Sequence, residues 1–198
     1  MDEPKPNRET IWLPIVLVMV AAWIVYVRFL GPGAPSDFSI SGDKRPVDYN
    51  WTLQDLDGGS VSFSKYEGKA VFLNIWATWC PPCVAEMPSI ARLADSPRLK
   101  GRNIEFVCVS IDDSIDAPRK YVADKNWPMT ILHARELPGA FLTDGIPATF
   151  IIAPDGNLVS TTLGGFEWDA ESVVGELEKL AAIPPKTTKP AEPETPES

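Results

Sequence analysis

Two cysteines separated by two prolines, Cys80-Pro81-Pro82-Cys83, are the residues of this 198-residue chain whose types and spacing point most directly to chemistry. They follow the apolar run Val71-Phe72-Leu73-Asn74-Ile75-Trp76 and precede Val84-Ala85-Glu86-Met87. That order predicts a buried strand running into a turn that opens a helix. A thiol at a helix N-terminus lies beside unsatisfied N–H groups and the positive end of the helix dipole, and both stabilise its thiolate. C-x-x-C alone also serves zinc sites and structural disulfides. Between a strand and a helix it reads as a dithiol that exchanges electrons with disulfides. Such a bridge closes a very small loop and constrains the unfolded chain little, which argues against a purely structural bond.

Few other residues compete for chemistry. With three cysteines and one histidine in the chain, a tetrahedral zinc site would need Cys80, Cys83, Cys108 and His133 together. Cys108 lies inside Ile104-Glu105-Phe106-Val107-Cys108-Val109-Ser110-Ile111, a β-rich run where a small buried core residue is the simpler reading. His133 follows Thr130-Ile131-Leu132 and reads as structural. Neither a metal nor a cofactor is expected. The net charge of -9, without clustered Lys and Arg, argues against a nucleic-acid partner.

The elements that must position the dithiol alternate between strand and helix. Trp51 to Leu56 and Ser60 to Ser64 flank Asp57-Gly58-Gly59, a hairpin signal. Ala70 to Trp76 is a near-continuous apolar strand, as in the middle of a sheet covered on both faces. Cys83 to Leu93 carries apolar residues at helical spacing, with Pro88 expected to kink it. Ile104 to Ile111 reads as a second central strand and Ala117 to Lys125 as a helix. Ala148 to Ala153 and Leu158 to Leu163 flank Pro154-Asp155-Gly156-Asn157 as an antiparallel hairpin, and Asp169 to Leu180 closes the domain as an amphipathic helix. The alternation implies an α/β fold with a βαβ half and a ββα half on one mixed sheet.

Outside this domain, residues 1–10 form a short tail and Ile11 to Val27 is an apolar stretch of about 17 residues, the short end of what spans a bilayer. Arg28 can snorkel to the interface, giving a transmembrane helix over residues 11–30. The run exceeds a usual signal-peptide core, and Gly31-Pro32-Gly33-Ala34-Pro35 offers no A-x-A-like cleavage site. Residues 31–49 read as a linker, 50–182 as the folded domain and 183–198 as a disordered Pro-rich tail. Lys5 and Arg8 before the span nearly balance Arg28, Lys44 and Arg45 after it, so charge leaves the orientation open.

This order of elements, with W-C-x-x-C after the first central strand, resembles the thioredoxin superfamily. Pro88, five residues after Cys83, matches the kink proline of its active-site helix, and Ile146-Pro147-Ala148-Thr149-Phe150 is similar to its loop with a cis proline facing the dithiol. Within the superfamily the chain looks most like the TlpA/ResA-like membrane-anchored thiol-disulfide oxidoreductases. Asn74 stands where thioredoxin has a buried Asp, Glu86 matches an acidic residue of that branch, and Trp51 to Tyr66 matches its extra N-terminal hairpin. Peroxiredoxins share the hairpin, but their P-x-x-x-[TS]-x-x-C motif is absent.

The resemblance implies a thioredoxin fold with a mixed central sheet flanked by helices, the extra N-terminal hairpin and an N-terminal transmembrane helix. It implies Cys80 as attacking thiol, Cys83 as resolving thiol, and Glu86 as proton carrier in place of Asn74, which cannot titrate. A solvated helix carboxylate is the alternative for Glu86. Trp79, Pro81, Pro82, Ile146 and Pro147 would bind substrate; Trp76 reads either as a wall of the site or as core. Because Pro81 and Pro82 lack N–H groups, the amide of Cys83 is the nearest donor left to the Cys80 thiolate, and weak stabilisation of that thiolate suits a reductant. The expected function is reduction of protein disulfides on the extracytoplasmic (periplasmic) side of the cell membrane. A transmembrane thiol carrier would supply the electrons, with cytochrome c maturation as one setting. The alternatives are a disulfide oxidase or isomerase, and a tethered binding module with an inert Cys80–Cys83 bridge.

Overall fold

The computed structural model describes residue 14, residues 16–22 and residues 44–185, in two units, Met1–Gly33 and Ala34–Ser198. In the first unit the described residues are helical, and Val16, Leu17, Val18, Met19 and Val20 are exposed. No helix among the described residues is long and apolar enough to cross a membrane. The anchor expected over residues 11–30 extends beyond the described residues, and most of the linker and of the tail lies outside them.

The second unit is built on one sheet. Its strands are β1 (Arg45–Pro46), β2 (Thr52–Asp55), β3 (Ser60–Ser62), β4 (Ala70–Trp76), β5 (Ile104–Ser110), β6 (Thr130–His133), β7 (Ala148–Ile152) and β8 (Asn157–Leu163), in the spatial order β1-β8-β7-β4-β5-β6-β2-β3. β4 pairs parallel with β5 and antiparallel with β7, so it is central, and every one of its residues is buried. β5 and β6 are also parallel, and the β2–β3 hairpin extends the sheet through an antiparallel β2–β6 pairing. This is the expected mixed sheet with the hairpin as an added edge, the layout of a thioredoxin fold.

Three α-helices flank the sheet: α1 (Pro81–Ala94), α2 (Asp116–Val122) and α3 (Glu171–Ala181). α1 continues through Pro88, whose missing N–H costs one intrahelical bond without ending the helix. Along β4, Phe72 and Trp76 pack with Met87, Ile90, Leu93, Trp168 and Leu177 on the helical face, while Val71, Leu73 and Ile75 pack with Trp51, Phe63, Phe141 and Phe150 on the other.

Several boundaries differ from expectation for local reasons. The second hairpin strand stops at Ser62, whose hydroxyl caps a 3-10 turn over Phe63–Tyr66 that sends both rings into the core. α2 ends at Val122, short of Lys125, whose N–H bonds back to the Val122 carbonyl in a closing turn. α3 begins two residues later than expected because Asp169 is held by Arg92 of α1.

Candidate active site

Cys80 is the N-cap residue of α1, with extended backbone, and Pro81 and Pro82 occupy the first helical positions, where a missing N–H is tolerated. The two sulfurs are bonded in a disulfide with a Cα–Cα distance of 5.3 Å. Cys80 Sγ accepts the Cys83 N–H at 3.3 Å, the donor expected once the prolines remove the others. Cys83 is completely enclosed, whereas Cys80 retains 4% exposure and lies at the surface end of the bond. Cys80 Sγ is 3.8 Å from the carbonyl oxygen of Ile146, and the Ile146–Pro147 peptide is cis. The structure thus brings Cys80, Cys83, Ile146 and Pro147 together, with Pro81, Pro82 and Trp79 exposed around them. Trp79 is 64% exposed. Trp76 is core: it is fully buried and packs on Tyr121 at 5.5 Å between ring centroids.

Glu86 follows Cys83 by three residues, so both lie on one face of α1. It is only 3% exposed, which rules out the solvated helix carboxylate. Its Oε1 accepts Asn74 Nδ2 at 2.8 Å, and its Oε2 accepts the Trp168 indole N–H at 2.9 Å and the Phe166 N–H at 3.2 Å. Those donors favour the carboxylate, but burial outweighs them and raises the pKa from 4.5 to about 7. Asn74 also donates to Thr149 Oγ1 at 3.0 Å, while its own Oδ1 has no hydrogen-bond partner among the described residues. An unpaired buried carbonyl costs about 1–3 kcal/mol, so this network is held at some expense of stability.

Cys108, opposite Asn74 in the β4–β5 register, is a free buried thiol. Burial, with a smaller contribution from Glu86, pushes its pKa up, as suits an inert core cysteine. The Nε2 atom of His133 lies 2.8 Å from the carbonyl oxygen of Asp112. Among the described residues no three His, Cys, Asp or Glu side chains converge as a metal cage. A groove of about 760 Å³ between the hairpin and residues 133–138 holds neither redox cysteine.

Sequence reasoning missed two parts of the site. The first is the segment between β8 and α3. Its Gly164 N–H donates to the Pro147 carbonyl at 2.9 Å, and a Cβ on Gly165 would stand 3.2 Å from the Pro82 carbonyl oxygen. Phe166 and Trp168 supply two of the three donors to Glu86, and the Trp168 N–H donates to Ser89 Oγ at 3.1 Å. One segment therefore touches the cis-proline loop, the Pro-Pro turn and the buried acid. The Gly164-Gly165 pair ahead of Phe166 and Trp168 was its only local signal. The second is Asp112, just beyond β5, which holds Thr78 in the loop leading to Cys80.

The fold and the helix-capping Cys-Pro-Pro-Cys pair define a thiol-disulfide oxidoreductase on a thioredoxin scaffold. Similar proteins agree. A thiol-disulfide oxidoreductase ResA of Bacillus cereus is 29% identical over 178 residues, covering 89% of this chain and 98% of the relative. ResA of Bacillus subtilis is 30% identical over 162 residues, covering 81% and 87%. A solved structure of a candidate thiol:disulfide interchange protein DsbE from Chlorobium tepidum superposes with a TM-score of 0.60 at 22% identity, over 69% of this chain and 98% of that one, and shares the fold. The chain belongs to the AhpC/TSA family, whose profile matches residues 42–161. Ala77 stands three residues before Cys80, where a peroxiredoxin motif would place Thr or Ser.

Proposed function

We propose that this oxidoreductase works as a reductant of protein disulfides on the extracytoplasmic side of the cell membrane, tethered by residues 11–30 ahead of a catalytic domain over residues 50–182. The observation that carries the direction is the environment of Cys80. Among the described residues its sulfur has one backbone donor, the Cys83 N–H, because Pro81 and Pro82 contribute none. A thiolate so weakly stabilised does little to favour the reduced pair, which then gives its electrons away readily. The helical, exposed apolar residues 16–22 support the tether, and a tether raises the domain's effective concentration beside membrane partners.

In this reading the Cys80 thiolate attacks a client disulfide, releasing one client thiolate and forming a mixed disulfide. Cys83 then gives up its proton and attacks Cys80 Sγ, which expels the second client thiolate and closes the Cys80–Cys83 bond. Glu86, one helical turn away with a pKa of about 7, takes the proton of Cys83 in this direction and returns it when the pair is reduced again. Trp79, Pro81 and Pro82 bear on the client, and the Ile146 backbone beside Pro147 pairs with an extended client strand. Electrons return from a transmembrane thiol carrier. Apocytochrome c is the client to assay first.

Equilibrating the full chain in redox buffers tests the direction. A potential near about −270 mV, thioredoxin's, is expected. A value near about −120 mV, that of DsbA, would make the protein an oxidant, and a bond that never opens would make it a binding module.

A further inference from the structure

Asp112, only 3% exposed, sits where β5 runs out beside the dithiol loop. Its Oδ1 accepts the Thr78 hydroxyl at 2.6 Å, and its Oδ2 accepts the Thr78 N–H at 3.0 Å and the Ser110 hydroxyl at 2.7 Å. Ser110 Oγ in turn accepts the Asp112 N–H at 3.1 Å, which leaves its own hydrogen for the carboxylate. Both oxygens act as acceptors, the pattern of an ionised carboxylate. None of the ion pairs among the described residues includes Asp112. Its negative charge is therefore met by neutral dipoles alone.

Thr78 is two residues before Cys80, so their Cα atoms are at most about 7.6 Å apart. We propose that Asp112, clamped to Thr78, is a positioning residue that fixes the approach to Cys80 and places a negative charge where it disfavours the Cys80 thiolate. The proposal rests on Cys80–Cys83 being the redox pair, not on the direction of electron flow. A negative charge bonded to the residue two before a thiol opposes ionisation of that thiol, and a less stable thiolate makes a stronger reductant. The titratable and charged groups around this corner are Asp113 next in the chain, His133 of β6 at the Asp112 carbonyl, Lys120 and Tyr121 of α2 with Asp124 and Lys125 just beyond it in a groove shared with Thr78, and Glu86 of α1 one turn beyond Cys83.

The test is the pH profile of Cys80 alkylation in the reduced full chain, read by peptide mass, with buried Cys108 as an unreactive internal reference. Asp112→Asn keeps the size and one acceptor oxygen but removes the charge, and the midpoint should fall by about one pH unit. Thr78→Val keeps the charge and removes a hydroxyl that screens it, and the midpoint should rise by about half a pH unit. The opposite signs separate electrostatics from simple loosening of the loop, which would move both variants the same way. The Asp112→Asn shift should persist in a Glu86→Gln background. An unmoved midpoint in Asp112→Asn, a shift of the same sign in both variants, or a shift that vanishes with Glu86 overturns the proposal. If Asp112→Asn does not fold, the sign of the Thr78→Val shift decides. A wild-type potential in the oxidant range would overturn the reductase reading and leave this one standing.

Discussion

The two faces of the central sheet are built from the same strands and do different work. On the hairpin side, Val71, Leu73 and Ile75 of β4 meet a cluster of rings in which Phe63 packs against Trp51, Tyr66 and Phe141 at centroid distances of 5.4, 5.4 and 5.8 Å. On the helical side, alternation places Asn74 beside Phe72 and Trp76, and the buried polar groups gather there: Asn74, Glu86, Ser89, Ser110, Asp112, His133 and Thr149. Apolar burial stabilises without direction, whereas a buried polar network costs stability unless every group is met. Both faces leave polar atoms without a hydrogen-bond partner among the described residues, the Tyr49 and Tyr66 hydroxyls on the hairpin side and Asn74 Oδ1 on the helical side; what sets the helical side apart is that it holds the buried carboxyl groups Glu86 and Asp112.

The largest expected effect would expose that division. Phe63→Ala should cost about 3–5 kcal/mol of unfolding free energy, by lost transfer and a residual cavity, while the folded fraction keeps its thiol chemistry. Denaturant titration together with a disulfide-reduction assay checks it, and a selective loss of turnover at unchanged stability would break the comparison.

The pH dependence of stability sharpens it. Glu86 has a folded pKa of about 7 against an ordinary value of 4.5, so the folded state holds a proton that the unfolded chain releases in between. Its contribution is complete below pH 4.5 and is lost as pH rises through about 7, a change of about 3 kcal/mol. Glu86→Gln should remove that slope from urea midpoints measured across the window, and should flatten the corresponding limb of the pH–rate profile. A slope that survives would assign it to other groups.

The smallest effect isolates one donor. Trp168→Phe deletes the indole N–H that Glu86 accepts at 2.9 Å while keeping an aromatic ring against Phe72. The Glu86 pKa should rise further and stability above neutral pH should fall by about 1 kcal/mol. Titration of the Glu86 side-chain carbon by NMR reads this directly, and a pKa that falls or stays would detach the β8–α3 segment from the acid.

By itself the sequence determined the parts of the protein that depend on local pattern. The apolar run Ala70–Trp76 reads as an interior strand, Cys80 with its two prolines ahead of a helical apolar pattern reads as a helix start, and Asp57-Gly58-Gly59 reads as a hairpin turn; each is found in place. Cys80, Cys83, Ile146 and Pro147 were legible because a spaced dithiol and a proline at a strand start carry their geometry in a few neighbouring residues. Tertiary structure alone decided whether Glu86 faced water or core, because burial is set by what packs over a helix face, here a segment eighty residues away in sequence at Phe166. It alone chose between Trp76 and Trp79 as the exposed tryptophan, and it alone joined Asp112 to Thr78 across 34 positions. Hydrogen bonds between distant side chains leave no period or spacing in a sequence; they exist only once the sheet has set β4 beside β5 and closed the chain over the dithiol.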